Sequence, residues 1–258
     1  MTAKLRVPYS YIRRSYARSA MSNGRHARVL VAAASCCFAG ILAPALSVAQ
    51  TPDGVVAITA EPEHKIRFDN GRVRIYEGIL PKGKSTLMHE HRADSFAVIL
   101  RNTEIINEPH GGKPAVFKIP AGFVGFTSTA KGPYSHRVAA SGEATFHVIA
   151  IELMSPTPSG AATPSRPGSA FKVALENPRG RVYRLTLAPG ESTEAFTRPS
   201  GTAVFAISNG RVSESNDGKT SRLWDFEPGH FRWIDRSEKL SVKNESSTPI
   251  DLVEIEIF

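Results

Sequence analysis

A repeat at fixed spacing constrains this chain more than any other feature of its sequence. At an offset of 107 residues, HKIRFDN (His64 to Asn70) aligns with FKVALEN (Phe171 to Asn177), RIY (Arg74 to Tyr76) with RVY (Arg181 to Tyr183), and LPKGKST (Leu80 to Thr86) with LAPGEST (Leu187 to Thr193). The offset holds to Gly122 and Gly229. It then drops to 104, where FHVIAIEL (Phe146 to Leu153) aligns with IDLVEIEI (Ile250 to Ile257). A repeat of this length means one folding unit written twice. The predicted units are residues 50–154 and 171–258. The segment between them, 155–170, includes SPTPSGAATPSRPGS with its four prolines and no periodicity, and reads as an extended linker.

Within each unit the signals are those of short strands. SFAVIL, AVFKIP, RVYRLTL and DLVEIEIF are rich in β-branched and aromatic residues, with Gly, Pro or Asn between such runs. No segment after residue 49 sustains a 3.6-residue period, so an all-β sandwich or barrel is expected for each unit.

The first 49 residues stand apart. They contain seven Lys or Arg, no Asp or Glu, an apolar run from Val29 to Leu46, and the small residues Ser47-Val48-Ala49 at its end. This is the pattern of a signal peptide cleaved before Gln50, with Met21 as an alternative start. Ser35, Gly40 and Pro44 interrupt the run, which argues against a retained membrane helix. The mature protein is therefore expected to be periplasmic or secreted, without a membrane anchor.

Of the 32 basic residues in the chain, the 25 that remain after the leader face 24 acidic ones. The basic character belongs to the leader and implies no nucleic-acid partner. Cys36 and Cys37 also lie in the leader, so the mature chain has neither disulfide nor thiolate metal site.

Chemistry concentrates in two segments. In GKSTLMHEH (Gly83 to His91) the two histidines are one residue apart, and a strand would send both to one face, lumen or solvent. In PYSHRVAASG (Pro133 to Gly142), His136 lies two residues before Val138. These segments resemble the two motifs of the cupin superfamily, and Pro120-Ala121-Gly122 and Pro228-Gly229 fit the turn that precedes the second motif. The resemblance covers nearly all of residues 60–258 as two units. It implies two tandem barrels of the double-stranded β-helix, or jelly-roll, type.

The resemblance further implies one divalent metal ion, iron, manganese or zinc, held by His89, His91 and His136. Such binding needs neutral imidazole and is expected to weaken as pH falls through about 6.5. The family's usual glutamate is missing: Ser95 and Phe96 stand at its two positions, and Asp94 is one residue early. Strand parity turns Ser95 inward and Asp94 outward unless a bulge re-aims it. A three-histidine site is the expectation, with Asp94 kept as a candidate. In the second copy the ligand positions hold Phe196, Arg198 and Leu240, so no such site is expected there.

Tyr76 and His147 are further candidates for the pocket wall, each with a packing role as its alternative. Phe96, Phe123, Phe126 and Phe146 read as cavity wall or core, and His110 as a hairpin turn. No catalytic residue, nucleophile triad or phosphate-binding loop is identifiable. The expected function is a metal-dependent enzyme of dioxygenase type acting on a small chelating organic substrate. The alternative is a non-catalytic binder of a small molecule or sugar. Assembly into a homo-oligomer is left open.

Overall fold

The computed structural model describes residues 54–155, 164–216 and 219–258. The predicted signal peptide and residues 156–163 of the predicted linker lie outside them. The first unit contains β1 (Val56–Ala57), a single 3-10 turn at Ile58–Ala60, β2 (His64–Asp69), β3 (Val73–Leu80), β4 (His89–His91), β5 (Asp94–Ile99), β6 (Thr103–Pro109), β7 (Ala115–Ile119), β8 (Val124–Thr127), β9 (Tyr134–Ala140) and β10 (Phe146–Leu153). The second contains β11 (Phe171–Asn177), β12 (Gly180–Leu187), β13 (Phe196–Arg198), β14 (Thr202–Ala206), β15 (Gly210–Asn216), β16 (Lys219–Phe226), β17 (Phe231–Ile234), β18 (Glu238–Asn244) and β19 (Ile250–Ile257).

The strands repeat as the sequence does. β3, β4, β6 and β8 recur as β12, β13, β15 and β17 at the offset of 107, and β9 and β10 recur as β18 and β19 at 104. In each unit two sheets fold over a lumen. The first has the orders β1-β4-β9-β6-β7 and β2-β3-β10-β5-β8; the second has β13-β18-β15-β16 and β11-β12-β19-β14-β17. Among the described residues only β1 has no counterpart. It pairs parallel to β4, with Val56 opposite His89.

One hydrogen bond explains why the phrase ending in Thr86 is written twice. The Thr86 hydroxyl accepts from the Val138 N–H at 2.9 Å, and that of Thr193 accepts from the Val242 N–H at 3.0 Å. Both tie the segment entering the short strand to its neighbour across the sheet. The structural part of the phrase is kept in both copies.

The two barrels are packed back to back through one apolar cluster. Val73, Ile75, Phe96, Val98, Ile149 and Ile151 of the first barrel meet Val182, Ala203, Phe205, Ile207, Val253 and Ile255 of the second. The lumens hold separate clusters, around Leu80, Ile105 and Val138 in the first and around Leu185, Phe196 and Leu240 in the second. Strand β10 is therefore buried along its whole length, one face toward its own lumen and the other toward the second barrel.

The junction is reciprocal. A side chain at Gly122 would collide with the Arg184 guanidinium at 2.5 Å, and one at the equivalent Gly229 would come within 3.2 Å of Glu77 and 3.5 Å of His147. Both glycines have positive φ, which L side chains rarely adopt. Across this junction His147 bonds Glu77 at 2.7 Å in the first barrel, and Asp251 pairs with Arg184 in the second. Residues 147 and 251, and 77 and 184, are repeat equivalents, so the same cross-strand pair appears with its carboxylate on the opposite strand.

Candidate metal centre

Strands β4 and β9 run antiparallel with His89 opposite His136 and His91 opposite Tyr134. Alternation along β4 turns His89 and His91 to the lumen, and register brings His136 to meet them. One nitrogen from each of the three lies within 4.8 Å of those of the others. The ring centroids are 4.6 to 5.1 Å apart. The three predicted ligands are thus brought together.

Their tautomers favour a cation. His89 Nδ1 is 2.9 Å from the Leu87 carbonyl, which can only accept, so Nδ1 carries the proton and Nε2 is bare. His136 Nδ1 lies 2.6 Å from Asn107 Oδ1, which fixes the same tautomer. The bare Nε2 of His136 is 3.0 Å from Nε2 of His91, whose Nδ1 is buried without a partner. Two lone pairs at that distance repel. His91 relieves this by holding its proton on Nε2, or by giving that place to a metal ion shared by all three nitrogens. The set fits a divalent transition metal.

Burial, and after it the charge that protonated neighbours would bring, lowers the pKa of His91 to about 3 and that of His136 to about 2. Burial lowers that of His89 as well, partly offset by the Leu87 carbonyl. The folded site therefore stays neutral well below pH 6.5. This corrects the expectation drawn from free imidazole: protons compete for the folded site only in more acidic solution.

The histidines open on a cavity of about 190 Å³. Its wall is apolar, with Ala97, Ile99, Ile105, Val138, Phe146 and Val148, and its polar lining includes Thr86, Ser95, Asn107 and Thr127. No Asp, Glu, Lys or Arg lines it among the described residues. Ser95 and Tyr76 sit in the wall as expected, as do Phe123 and Phe146.

Asp94 does not. β5 runs without a bulge, so Asp94 faces outward, accepts from the Thr129 N–H at 2.8 Å and pairs with Arg179 of the second barrel at 3.0 Å. It is neither pocket wall nor fourth ligand. His147 is also outside the cavity, because its phase on β10, shared with Ile149 and Ile151, is the face toward the second barrel. Phe96 and Phe126 belong to that interface too.

Motif reading missed two residues. Asn107, on β6, orients His136 and donates to the Tyr134 hydroxyl at 3.1 Å. His64, on β2, reaches the same cavity, its ring 4.7 Å from that of His89 and 4.9 Å from that of Tyr76. The signal for His64 was the repeat itself: Phe171 stands at its place in the copy without ligands.

In the second barrel the equivalent space is filled. Arg198, at the place of His91, bonds both oxygens of Glu254 at 2.9 and 3.0 Å and Glu214 at 2.8 Å. Arg166, in the predicted linker, is inserted into the lumen with its guanidinium 4.5 to 4.7 Å from the rings of Phe171, Tyr183 and Phe196. It also bonds Glu254 and Glu256. The end of the linker is therefore a docked part of the barrel. Burial opposes ionisation of Glu254, but Arg166 and Arg198 hold its pKa down to about 2. An internal ion-pair network occupies the place of a metal.

No protein-family model matches the sequence, and no curated protein sequence matches it. Solved structures do resemble the fold. YhaK from Escherichia coli superposes with a TM-score of 0.51 at 14% identity, covering 75% of this chain and 90% of that one. A cupin 2 conserved barrel domain protein from Leptotrichia buccalis gives 0.47 at 14% identity over 76% and 88% of the two chains. Oxalate decarboxylase from Bacillus subtilis gives 0.48 at 13% identity over 75% of each. At these identities the likeness is one of fold. The sheet orders and the three lumen histidines make the chain a protein of two tandem β-barrels, similar in fold to YhaK, with a candidate metal site in its first barrel.

Proposed function

We propose that the protein is an exported, metal-dependent enzyme of dioxygenase type that acts on a small chelating organic substrate. The observation that carries this reading is the convergence of three imidazole nitrogens on a cavity whose wall bears no fixed charge. His89, His91 and His136 would hold one iron, manganese or zinc ion, of which iron and manganese supply redox access to dioxygen and zinc supplies Lewis acidity alone.

Three neutral ligands leave the charge of a divalent ion uncompensated, which favours an anionic, bidentate substrate. The cavity is smaller than the roughly 300–1,000 Å³ of sites that take drug-sized ligands, so the substrate is a small molecule. The wall is largely apolar, and Ser95, Thr127 and Asn107 offer a bound molecule a few hydrogen bonds. The leader, with its basic start and apolar run, supports export.

A second reading, a non-catalytic binder of a small molecule or sugar, is favoured by the lack, among the described residues, of a carboxylate in the cavity wall to move a proton. Elemental analysis of the isolated protein, followed by oxygen uptake with catechols, hydroxy acids and enolic diketones on iron- and manganese-loaded samples, separates the two. Uptake abolished by His91→Ala supports the enzyme. Saturable ligand binding without turnover, whatever the metal, supports the binder.

A further inference from the structure

Among the described residues, His64 is the one lumen histidine that the metal reading leaves without a task. It stands on β2 opposite Gly78 of β3, and its ring lies edge to face on that of His89, at 87° between planes. It falls outside the group of three whose nitrogens converge, so as placed it is a neighbour of the centre and not a ligand.

Packing does not account for an imidazole here. In the second barrel Phe171 occupies the same register, opposite Leu185, with its ring 4.7 Å from Phe196 at 68°. A phenyl ring fills the slot in the same fold. In the first barrel the slot instead holds a polar ring whose Nδ1 is buried without a hydrogen-bond partner, a placement that costs stability unless it serves something else.

The surroundings fix which edge of the ring is available. Nδ1 faces the buried Glu61 carboxylate at 3.9 Å, beyond hydrogen-bond distance but an acceptor whose charge favours a proton on Nδ1. Nε2 is then an acceptor, on a ring that lines the cavity beside His89. Glu61 is itself held by the N–H of Leu87 at 3.1 Å, and the Leu87 carbonyl holds His89, so His64 and the first ligand are positioned by one segment.

We propose that His64 is a substrate-contacting residue, whose imidazole accepts a hydrogen bond from the hydroxyl group of a small hydroxyl-bearing chelator bound at His89, His91 and His136. The inference rests on the metal reading above and narrows its substrate class: hydroxy acids, catechols and enols qualify, and their O-methylated counterparts do not.

The test uses manganese- or zinc-loaded full-length mature protein, with glycolate and methoxyacetate as probes that share a carboxylate and differ in the hydroxyl. Wild type should bind glycolate at least about tenfold more tightly by calorimetry, the worth of one well-made hydrogen bond. In His64→Phe, the residue the second barrel carries, and in His64→Leu, the two affinities should fall within about twofold of each other while metal content is unchanged. A glycolate preference that survives in either folded variant overturns the proposal. Loss of the metal in both variants overturns it as well, by making His64 part of the ion's own support. A wild-type protein that holds no divalent ion overturns the metal reading itself, and this inference with it.

Discussion

His136 Nδ1 and Asn107 Oδ1 are 2.6 Å apart, and this contact sets the direction of a metal ligand. The carboxamide is oriented in turn by its donation to Tyr134, so the oxygen faces the ring and the ring's proton faces the oxygen. Asn107→Ala should keep the fold and lower metal affinity by about 10–100-fold, the usual effect of removing a ligand's orienting partner. Competition against a chelator of known affinity measures it, and an unchanged affinity would mean that packing alone orients the ring.

Acid should destabilise the metal-free protein well before its carboxylates protonate. In the unfolded chain His64, His91 and His136 titrate near 6.5, whereas in the folded protein burial holds the first two near 3 and the third near 2. Between those values the unfolded state binds more protons. The stability contributed by these groups is therefore complete above about pH 6.5 and is lost as pH falls toward 3, by at most ~1.4 kcal/mol per group and pH unit. Urea unfolding at pH 7, 5.5 and 4.5 checks this. His136→Leu should flatten the dependence, and equal slopes in the two proteins would contradict it.

Arg198 is 1% exposed and binds three carboxylates, of which those of Glu214 and Glu254 are buried. Arg198→Met should cost about 3–5 kcal/mol, because Glu214 and Glu254 then face each other's vicinity with one cation fewer. Arg198→Lys should recover only part of this, since a single ammonium cannot reproduce the two-pronged contact with Glu254. Denaturant midpoints decide it, and a loss below about 1 kcal/mol for Arg198→Met would mean that Arg166 compensates.

Export should leave a chain that begins at Gln50. Intact-mass measurement on protein recovered from outside the cytoplasm tests this directly. A species retaining residues 29–46, or one acylated at Cys36 or Cys37, would exclude the cleavage site.

The repetition of the strands and the shared face of His89 and His91 were readable from the sequence because both rest on spacing: the two histidines share a parity, and the repeat fixes which strands correspond. Parity could not say what lies beyond each face. Ile149 and Ile151 look like lumen residues because they are apolar and alternate, and they drew His147 with them. In fact a second barrel covers that face, and strand β10 has no solvent side. Arg166 was hidden for the opposite reason. A proline-rich stretch carries no periodicity, and nothing local reveals that its arginine ends among three aromatic rings.

The double burial of β10 has a consequence for how this molecule can change. Val148 and Ala150 form part of the cavity wall, while Ile149 and Ile151, between and beside them on the same strand, belong to the core shared with the second barrel. The partition between a bound ligand and the inert copy is one strand thick. A substitution at Phe205 or Ile255, on the far side of that partition, bears on the strand that shapes the pocket. The second barrel thus bears on the shape of a cavity it does not line: variation in it is a route by which the first barrel's cavity is reshaped without altering any residue of its wall.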